Sequence, residues 1–596
     1  MKNNKDYRNK IYKDAGVAAG TTTKAMVSIL ALILALVLFL ASCGAVESSA
    51  GTGSSAVSVT ASAEYNAASK ADMFTERDLS GDYDESEAET ITLNGSTAET
   101  SASSGVTVSG STVTITAEGV YIVSGDLTDG QIIVEADDAA KVQIVLKGAS
   151  ITSSTSAAIY VKSADKVFVT TAAGTENTLA NGGSFTADGD TNVDGAVFAK
   201  DDITFNGSGS LTIDSPAGHG IVGKDDVKIA GGTLTINAAN HGVQANDSVR
   251  VAEADITINA QTKDGIHVSD DADEEEGTVS DSFFYMSDGT LNISAGDDGI
   301  HADAEALIEG GTINIAESYE GLEALSIKVS GGDIKAVASD DGFNAAGGNA
   351  QSGSQTFGEG DWGGFSDGGT NGSIEISGGN IYVQAGGDGI DSNGSVAISG
   401  GYTVVCGPTQ GDTSVLDYNG EGTITGGTFI GTGGAGMAAN FSSTSQGLIA
   451  VSVGNQSAGS TVSLKDGSGN VITEVTPELG YAVVYISAED MTQGGTYQLT
   501  AGTYSESITL SDLMYSTLSG GMGGSFGGGG PRGGMNGGGM NDDMSGEADG
   551  EMSGEMNGGM HPGGMRGGNG QAGGHGPGGK TDGMTGATQL NGNETV

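Results

Sequence analysis

The chain is punctuated by short runs in which apolar and polar residues alternate, such as Leu234-Thr235-Ile236-Asn237-Ala238 and Ile313-Asn314-Ile315-Ala316. A side-chain period of two marks a β-strand with one buried face. Residues 105–180 carry the same signal in the runs VTIT, VYIV, QIIVEA, KVQIVL, AIYV and KVFVTT, separated by Gly, Asp and Ser turns. Further on, two phrases recur. One is Gly-Gly-x-apolar, beginning at Gly231, Gly310, Gly331, Gly378, Gly400 and Gly426. The other is an acid or histidine, then glycine, then an apolar residue, centred on Gly220, Gly242, Gly265, Gly299, Gly321, Gly342 and Gly389.

Steps between these seven glycines are 22, 23, 34, 22, 21 and 47 residues. A period near 22 with occasional insertions predicts a solenoid whose coils each hold three short strands and three corners. The expected fold is all-β, a right-handed parallel β-helix over residues 71–447. The two long steps are insertions: an acidic stretch, 269–285, and a glycine-rich stretch, 347–371, with the single tryptophan, Trp362, near Phe357 and Phe365. Beyond 447 the phrases stop, and residues 448–515 read as a small β domain or a cap on the open end. Residues 516–596, rich in Gly and Met, are expected to be disordered.

The N-terminus sets the expected compartment. Lys2, Lys5, Arg8, Lys10, Lys13 and Lys24 precede an apolar run from Ala25 to Ala41, which ends in Leu40-Ala41-Ser42-Cys43. This resembles a bacterial lipobox, so residues 1–42 are expected to be a lipoprotein signal peptide with lipid attached at Cys43. The mature protein would sit outside the cell, anchored to the outer face of the membrane. Residues 43–70 read as its flexible linker. Cys406 is the other cysteine and is expected to be a buried, inert thiol.

Charge narrows the partners. Net charge is −53, from 76 Asp and Glu against 23 Lys and Arg, which argues against nucleic acid. A cation is needed to relieve so acidic a surface, and calcium suits hard carboxylate oxygens.

Aligned on the seven glycines, the preceding residues are His219, His241, Asp264, Asp298, Glu320, Asp341 and Asp388. Two residues after glycine stand Val222, Gln244, His267, His301, Glu323, Asn344 and Asp391, expected to face outward by strand alternation. Adjacent coils lie roughly 4.8 Å apart, so stacked carboxylates repel unless exposed, protonated or bridged by an ion. The expected calcium ligands are Asp264, Asp297, Asp298, Asp303, Glu320, Glu323, Asp340, Asp341, Asn344, Asp388 and Asp391. A competing reading treats each Asp-Gly as a corner turn, with Asp capping its own backbone and Gly supplying positive φ. For His219, His241, His267 and His301, a stacked ladder competes with sugar contact, which His267 and His301 are expected to make. Trp362 and Phe365 are expected to stack on sugar rings, or else to fold back onto the solenoid.

Three N-terminal stretches carry a resemblance: Gly125 to Val134 (GDLTDGQIIV), Val142 to Gly148 (VQIVLKG) and Ala158 to Val167 (AIYVKSADKV), followed by Gly174 to Leu179 (GTENTL). Over about residues 71–450 the chain resembles a bacterial family of carbohydrate-binding-domain β-helix proteins, similar in fold to calcium-dependent pectate lyases of polysaccharide lyase family 9. The resemblance implies binding of cellulose or pectic polyuronate with bound calcium, by a protein expected to act as a monomer. Two other readings stand beside it. A lyase would need a base, for which Lys224, Lys263 and Lys328 are available, but no catalytic motif selects among them. A structural adhesin would use the rod as a spacer.

Overall fold

The computed structural model describes residues 73–269, 282–346, 372–408 and 413–518. Among them the chain is essentially all-β, with a single-turn helix at Glu76–Leu79. Thirty-nine strands join one large, mostly parallel sheet, and four others form a separate antiparallel one.

Pairing skips sequence neighbours. Strand Ser210–Ser215 pairs with Thr233–Ala238, which pairs with Asp255–Ala260 and then Thr290–Ala295, two other strands lying between each pair. A chain that returns to the same face once per repeat pairs in this way, as β-helices and solenoids do. Leu211, Leu234, Ile256, Leu291 and Ile313 therefore stack in one column, each at most 1% exposed. On a second face Ile221, Val243, Ile266, Ile300, Leu322, Phe343 and Ile390 do the same, all at 0%. These columns fill the core. Register survives both insertions: Ile266 pairs with Ile300 across one, and Phe343 with Ile390 across the other.

The two glycine phrases do different jobs. In Gly-Gly-x-apolar the second glycine is left-handed, with φ of +84° at Gly232 and Gly311, where an L side chain is strained. The glycine after each acid or histidine is not, so positive φ does not explain it. At Gly265 a Cβ would come within 2.5 Å of Ile293 Cγ2 and 2.6 Å of the Gly299 carbonyl oxygen. Close approach of the next coil, not turn geometry, demands glycine there.

An N-terminal strap crosses the flank of the stack. Thr75 caps the short helix, in a capping box with Asp78. Met73 and Phe74 pack with Ala230, Ala252, Phe283, Tyr285 and Leu307, residues from successive coils. The fully buried Asp78 carboxylate meets Lys166 Nζ at 2.7 Å, Lys228 Nζ at 3.9 Å and Thr204 Oγ1 at 2.9 Å. Burial opposes its ionisation, yet Lys166, the Thr75 backbone and Lys228 hold its pKa down at about 2.

At the C-terminal end, Tyr481–Ala488 pairs antiparallel with both Thr428–Gly433 and Gly447–Gln456, which ends the parallel run. Val462–Lys465, Val471–Val475, Thr496–Ala501 and Tyr504–Thr509 form the antiparallel sheet, over a second core. Cys406 is fully buried in that core, and burial pushes its thiol pKa up, so it stays an unreactive thiol. No helix among the described residues is long and apolar enough to cross a membrane. Cys43, the linker, the acidic insertion between 270 and 281, Trp362, Phe365 and the tail from 519 lie outside the described residues. Ser516, expected to open the tail, instead ends the strand Met514–Ser516, paired with Gly447–Gln456.

Candidate functional site

Two columns of polar side chains run side by side along the coils. The residues preceding each glycine form the first, and those two positions after it form the second. The second was expected to face outward, yet Glu323 is 2% exposed and Asn344 5%. The columns turn toward each other: His267 Nδ1 lies 2.7 Å from Asp264 Oδ2, and Asn344 Nδ2 donates to Glu320 Oε2 at 2.8 Å.

The first column is also a backbone ladder. The N–H of Asp264 donates to His241 Nδ1 at 3.2 Å, that of Asp298 to Asp264 Oδ1 at 3.1 Å, and that of Glu320 to Asp298 Oδ1 at 3.0 Å. The Asp388 N–H donates to Asp341 Oδ1 at 2.5 Å, and the Ser414 N–H to Asp388 Oδ1. At these rungs the side chain captures the backbone of the next coil, which explains an acceptor there whether or not an ion binds. The ladder takes one oxygen each from Asp264, Asp298, Asp341 and Asp388 and leaves the other.

Identity then divides the columns in two. At the N-terminal end the imidazoles of His219, His241, His267 and His301 stack face to face, with ring centroids 5.0, 4.3 and 4.9 Å apart. Burial, then the neighbouring His241 and His267, pushes the His219 pKa down to about 3, and burial lowers that of His241. Asp264 sits against both His241 and His267. Burial would raise its pKa, but hydrogen bonds to these two rings hold it far below the carboxylate range. His301 ends the stack as a cation. Burial opposes this, and Asp298, Asp303 and Glu323 together raise its pKa well above the ordinary histidine value. Its Nδ1 lies 2.5 Å from Glu323 Oε2, and its Nε2 lies 3.2 Å from Asp303 Oδ1.

Beyond His301 the basic partners run out. Burial and then neighbouring carboxylates push pKa values up: Glu320 to about 9, Asp341 to about 6, Asp388 to about 8 and Asp391 to about 7. One carboxylate oxygen from each of Asp341, Asp388 and Asp391 falls within a 4.8 Å cluster. Glu323 Oε1 and Asn344 Oδ1 are buried without a hydrogen-bond partner among the described residues. Hard oxygens, crowded and partly orphaned, are a donor set that fits calcium.

The other sequence-predicted residues are placed as follows. Asp297 joins Asp264 and Asp298 in one cluster, 3.9 Å from Lys263. Asp340 borders the groove and hydrogen-bonds the Tyr319 side chain, raising the phenol pKa. Lys328 is tied to Glu305 at 2.5 Å, away from the columns, whereas Lys224 lines the groove beside the histidines. Asp417 and Tyr319 went unread in the sequence. Asp417 continues the second column, paired with Asp391, but no Asp-Gly phrase announces it. Tyr319, 39% exposed, stands next to Glu320 on the rim of the acid end, and only its place in the repeat could have flagged it.

Comparison with known proteins bears on this groove. Residues 109–368 match the family of carbohydrate-binding domain-containing proteins. The matched region holds the histidine stack and the acid end as far as Asn344, and leaves out Asp388, Asp391 and Asp417. A carbohydrate-binding domain-containing protein of Acetivibrio thermocellus is 38% identical over 122 residues, which are 20% of this chain and 43% of that protein. The chain thus spans less than half the length of that relative. A solved polysaccharide lyase-like protein from C. thermocellum is 31% identical, with 41% of this chain and 93% of that one covered at a TM-score of 0.35. The resemblance to carbohydrate-binding-domain proteins read from the sequence is met by these matches.

Proposed function

We propose that this chain is a cell-surface lipoprotein that binds plant cell-wall polysaccharide, cellulose or pectic polyuronate, on a calcium-bearing right-handed parallel β-helix of roughly 22-residue coils. The observation that carries this reading is the acid end of the groove. The buried carboxyl group of Glu320 and the partly buried ones of Asp341, Asp388 and Asp391 have their pKa values raised by desolvation and by neighbouring carboxylates. A divalent ion there relieves the repulsion and leaves coordination positions for ligand oxygens. It also explains how a chain of net charge −53 attracts a polyanion, since the ion bridges two sets of carboxylates. Tyr319 on the rim offers an aromatic face to a sugar ring. The match to carbohydrate-binding domains supports the ligand class.

The test is a pull-down on insoluble cellulose and on polygalacturonate, with and without a calcium chelator, while ultraviolet absorbance follows unsaturated products. Calcium-dependent retention without product is the expected result. Product release would move the protein to the lyases, and retention on neither polymer would leave only the spacer. Membrane association is tested separately: Cys43→Ala should release the protein from the membrane fraction.

A further inference from the structure

We infer that the histidine end of the groove is a second metal site, taking a borderline transition-metal ion of the zinc class between His241, Asp264 and His267. This does not rest on the calcium reading. One ligand atom from each of the three residues falls within a 4.8 Å cluster. Asp264 Oδ2 is its hub, 3.3 Å from His241 Nδ1 and 2.7 Å from His267 Nδ1. An ion held by these three atoms takes the place of the proton that His267 and Asp264 now share, and that proton moves to the ring's Nε2. Asp264 Oδ1 keeps its bond to the Asp298 N–H, whereas the Asp264 N–H gives up His241 Nδ1 to the ion.

Two further observations point to a ligand. The cluster opens into a cavity of about 720 Å³, lined by His219, His241, His267 and Gln244 among others, so an ion and its remaining water ligands have a way in. His219 Nδ1, one step along the stack, is buried with no hydrogen-bond partner among the described residues. It is a lone pair without a proton to accept. Chemistry sets the metal class. Two imidazole nitrogens and one carboxylate with an open fourth position suit zinc, cobalt or nickel. Calcium, which takes six to eight oxygens, is disfavoured by nitrogen donors. The groove would thus sort ions by hardness along its length.

The test uses the full chain in excess calcium, which fills hard-oxygen sites, and titrates cobalt(II) as a spectroscopic probe. One cobalt ion per chain is expected, with tetrahedral visible bands that zinc abolishes. His267→Gln should weaken binding at least about ten-fold, since even outer-shell losses reach that size. Glu474→Gln, exposed on the separate antiparallel sheet, should leave it unchanged. The tail histidines are a rival source, so His561→Gln/His575→Gln must also leave it unchanged. Should His267→Gln misfold by circular dichroism, His241→Gln serves instead. Absence of cobalt bands in the wild type, binding undiminished in the groove variants, or loss in the tail variant would each overturn the inference.

Discussion

At the histidine end the paired columns hold His219 and His241 beside Gln244 and His267; at the acid end the same positions hold Glu320, Asp341 and Asp388 beside Glu323, Asn344 and Asp391. The backbone is the same. Both ends stack like groups at the coil spacing, and both use the first column to catch the N–H of the next coil. The difference is what a side chain becomes when its charge is refused. A buried imidazole loses its proton and remains an acceptor, as the lowered pKa values of His219 and His241 show. A buried carboxylate must gain a proton or find a cation, so the acid end is unfinished as protein alone. His301 marks the join, an imidazolium held among Asp298, Asp303 and Glu323. Opposite pH dependences follow.

The largest effect is expected at the acid end with divalent ions removed. Asp341, Asp391 and Asp388 have folded pKa values raised to about 6, 7 and 8, against an unfolded value near 4. Groups raised in this way bind more protons folded than unfolded, so their stability is complete below about pH 4 and lost as pH rises through 6 to 8. Urea unfolding in chelator should therefore lose on the order of 5 kcal/mol between pH 5 and pH 8. Calcium should return most of it. A flat profile in chelator would refute the electrostatic reading, whereas a sloping one that calcium leaves untouched would remove only the ion.

The strap supplies a carboxylate in the opposite condition. Asp78 is buried too, but Lys166 and Lys228 keep its pKa at about 2, so its contribution is present above pH 4 and lost as pH falls through 2. Asp78→Asn strands buried cations and should cost about 3 kcal/mol at neutral pH. The cost should shrink in strong acid. Equal unfolding midpoints for variant and wild type at pH 7 would show that the strap is not held by this pair.

How much of this was legible beforehand depends on what each residue answers to. The glycine phrases gave away the repeat, because close approach of coils forbids a side chain at Gly265 and left-handed backbone disfavours one at Gly232. The acids and histidines were legible as columns for the same reason. Their roles were not. Whether Asp264 is a ligand, a turn cap or a ladder rung depends on which N–H it meets, and that N–H belongs to Asp298, 34 residues away. Outward alternation misjudged Glu323 and Asn344, since two faces meeting at a corner shelter side chains that a flat sheet would expose. The strap carried a local sign, Thr75 three residues before Asp78, but nothing local says that Asp78 meets Lys166 and Lys228, 88 and 150 residues on.

Two smaller effects sharpen the contrast. Gly265→Ala places a methyl against Ile293 and the Gly299 carbonyl at the boundary between the two ends, and overpacking of that kind should cost about 2 kcal/mol in urea unfolding. An unchanged midpoint would mean that the coils slide apart at little cost.

The smallest effect is the most discriminating. His219 has its folded pKa depressed to about 3 by burial and by the rings beside it, against about 6.5 unfolded. A depressed imidazole binds fewer protons folded than unfolded, so its contribution is present above about pH 6.5 and lost as pH falls toward 3. His219→Gln keeps a polar side chain and cannot titrate. In chelator the variant should therefore gain about 1 kcal/mol more than the wild type as pH falls from 7.5 to 5, because His219 opposes the sign of the acid end. The comparison is made within one protein and one buffer series, so changes elsewhere cancel. Were the two proteins to change in stability equally over that interval, the imidazole stack would contribute no acid sensitivity, and the opposition between the two ends would reduce to the carboxylates alone.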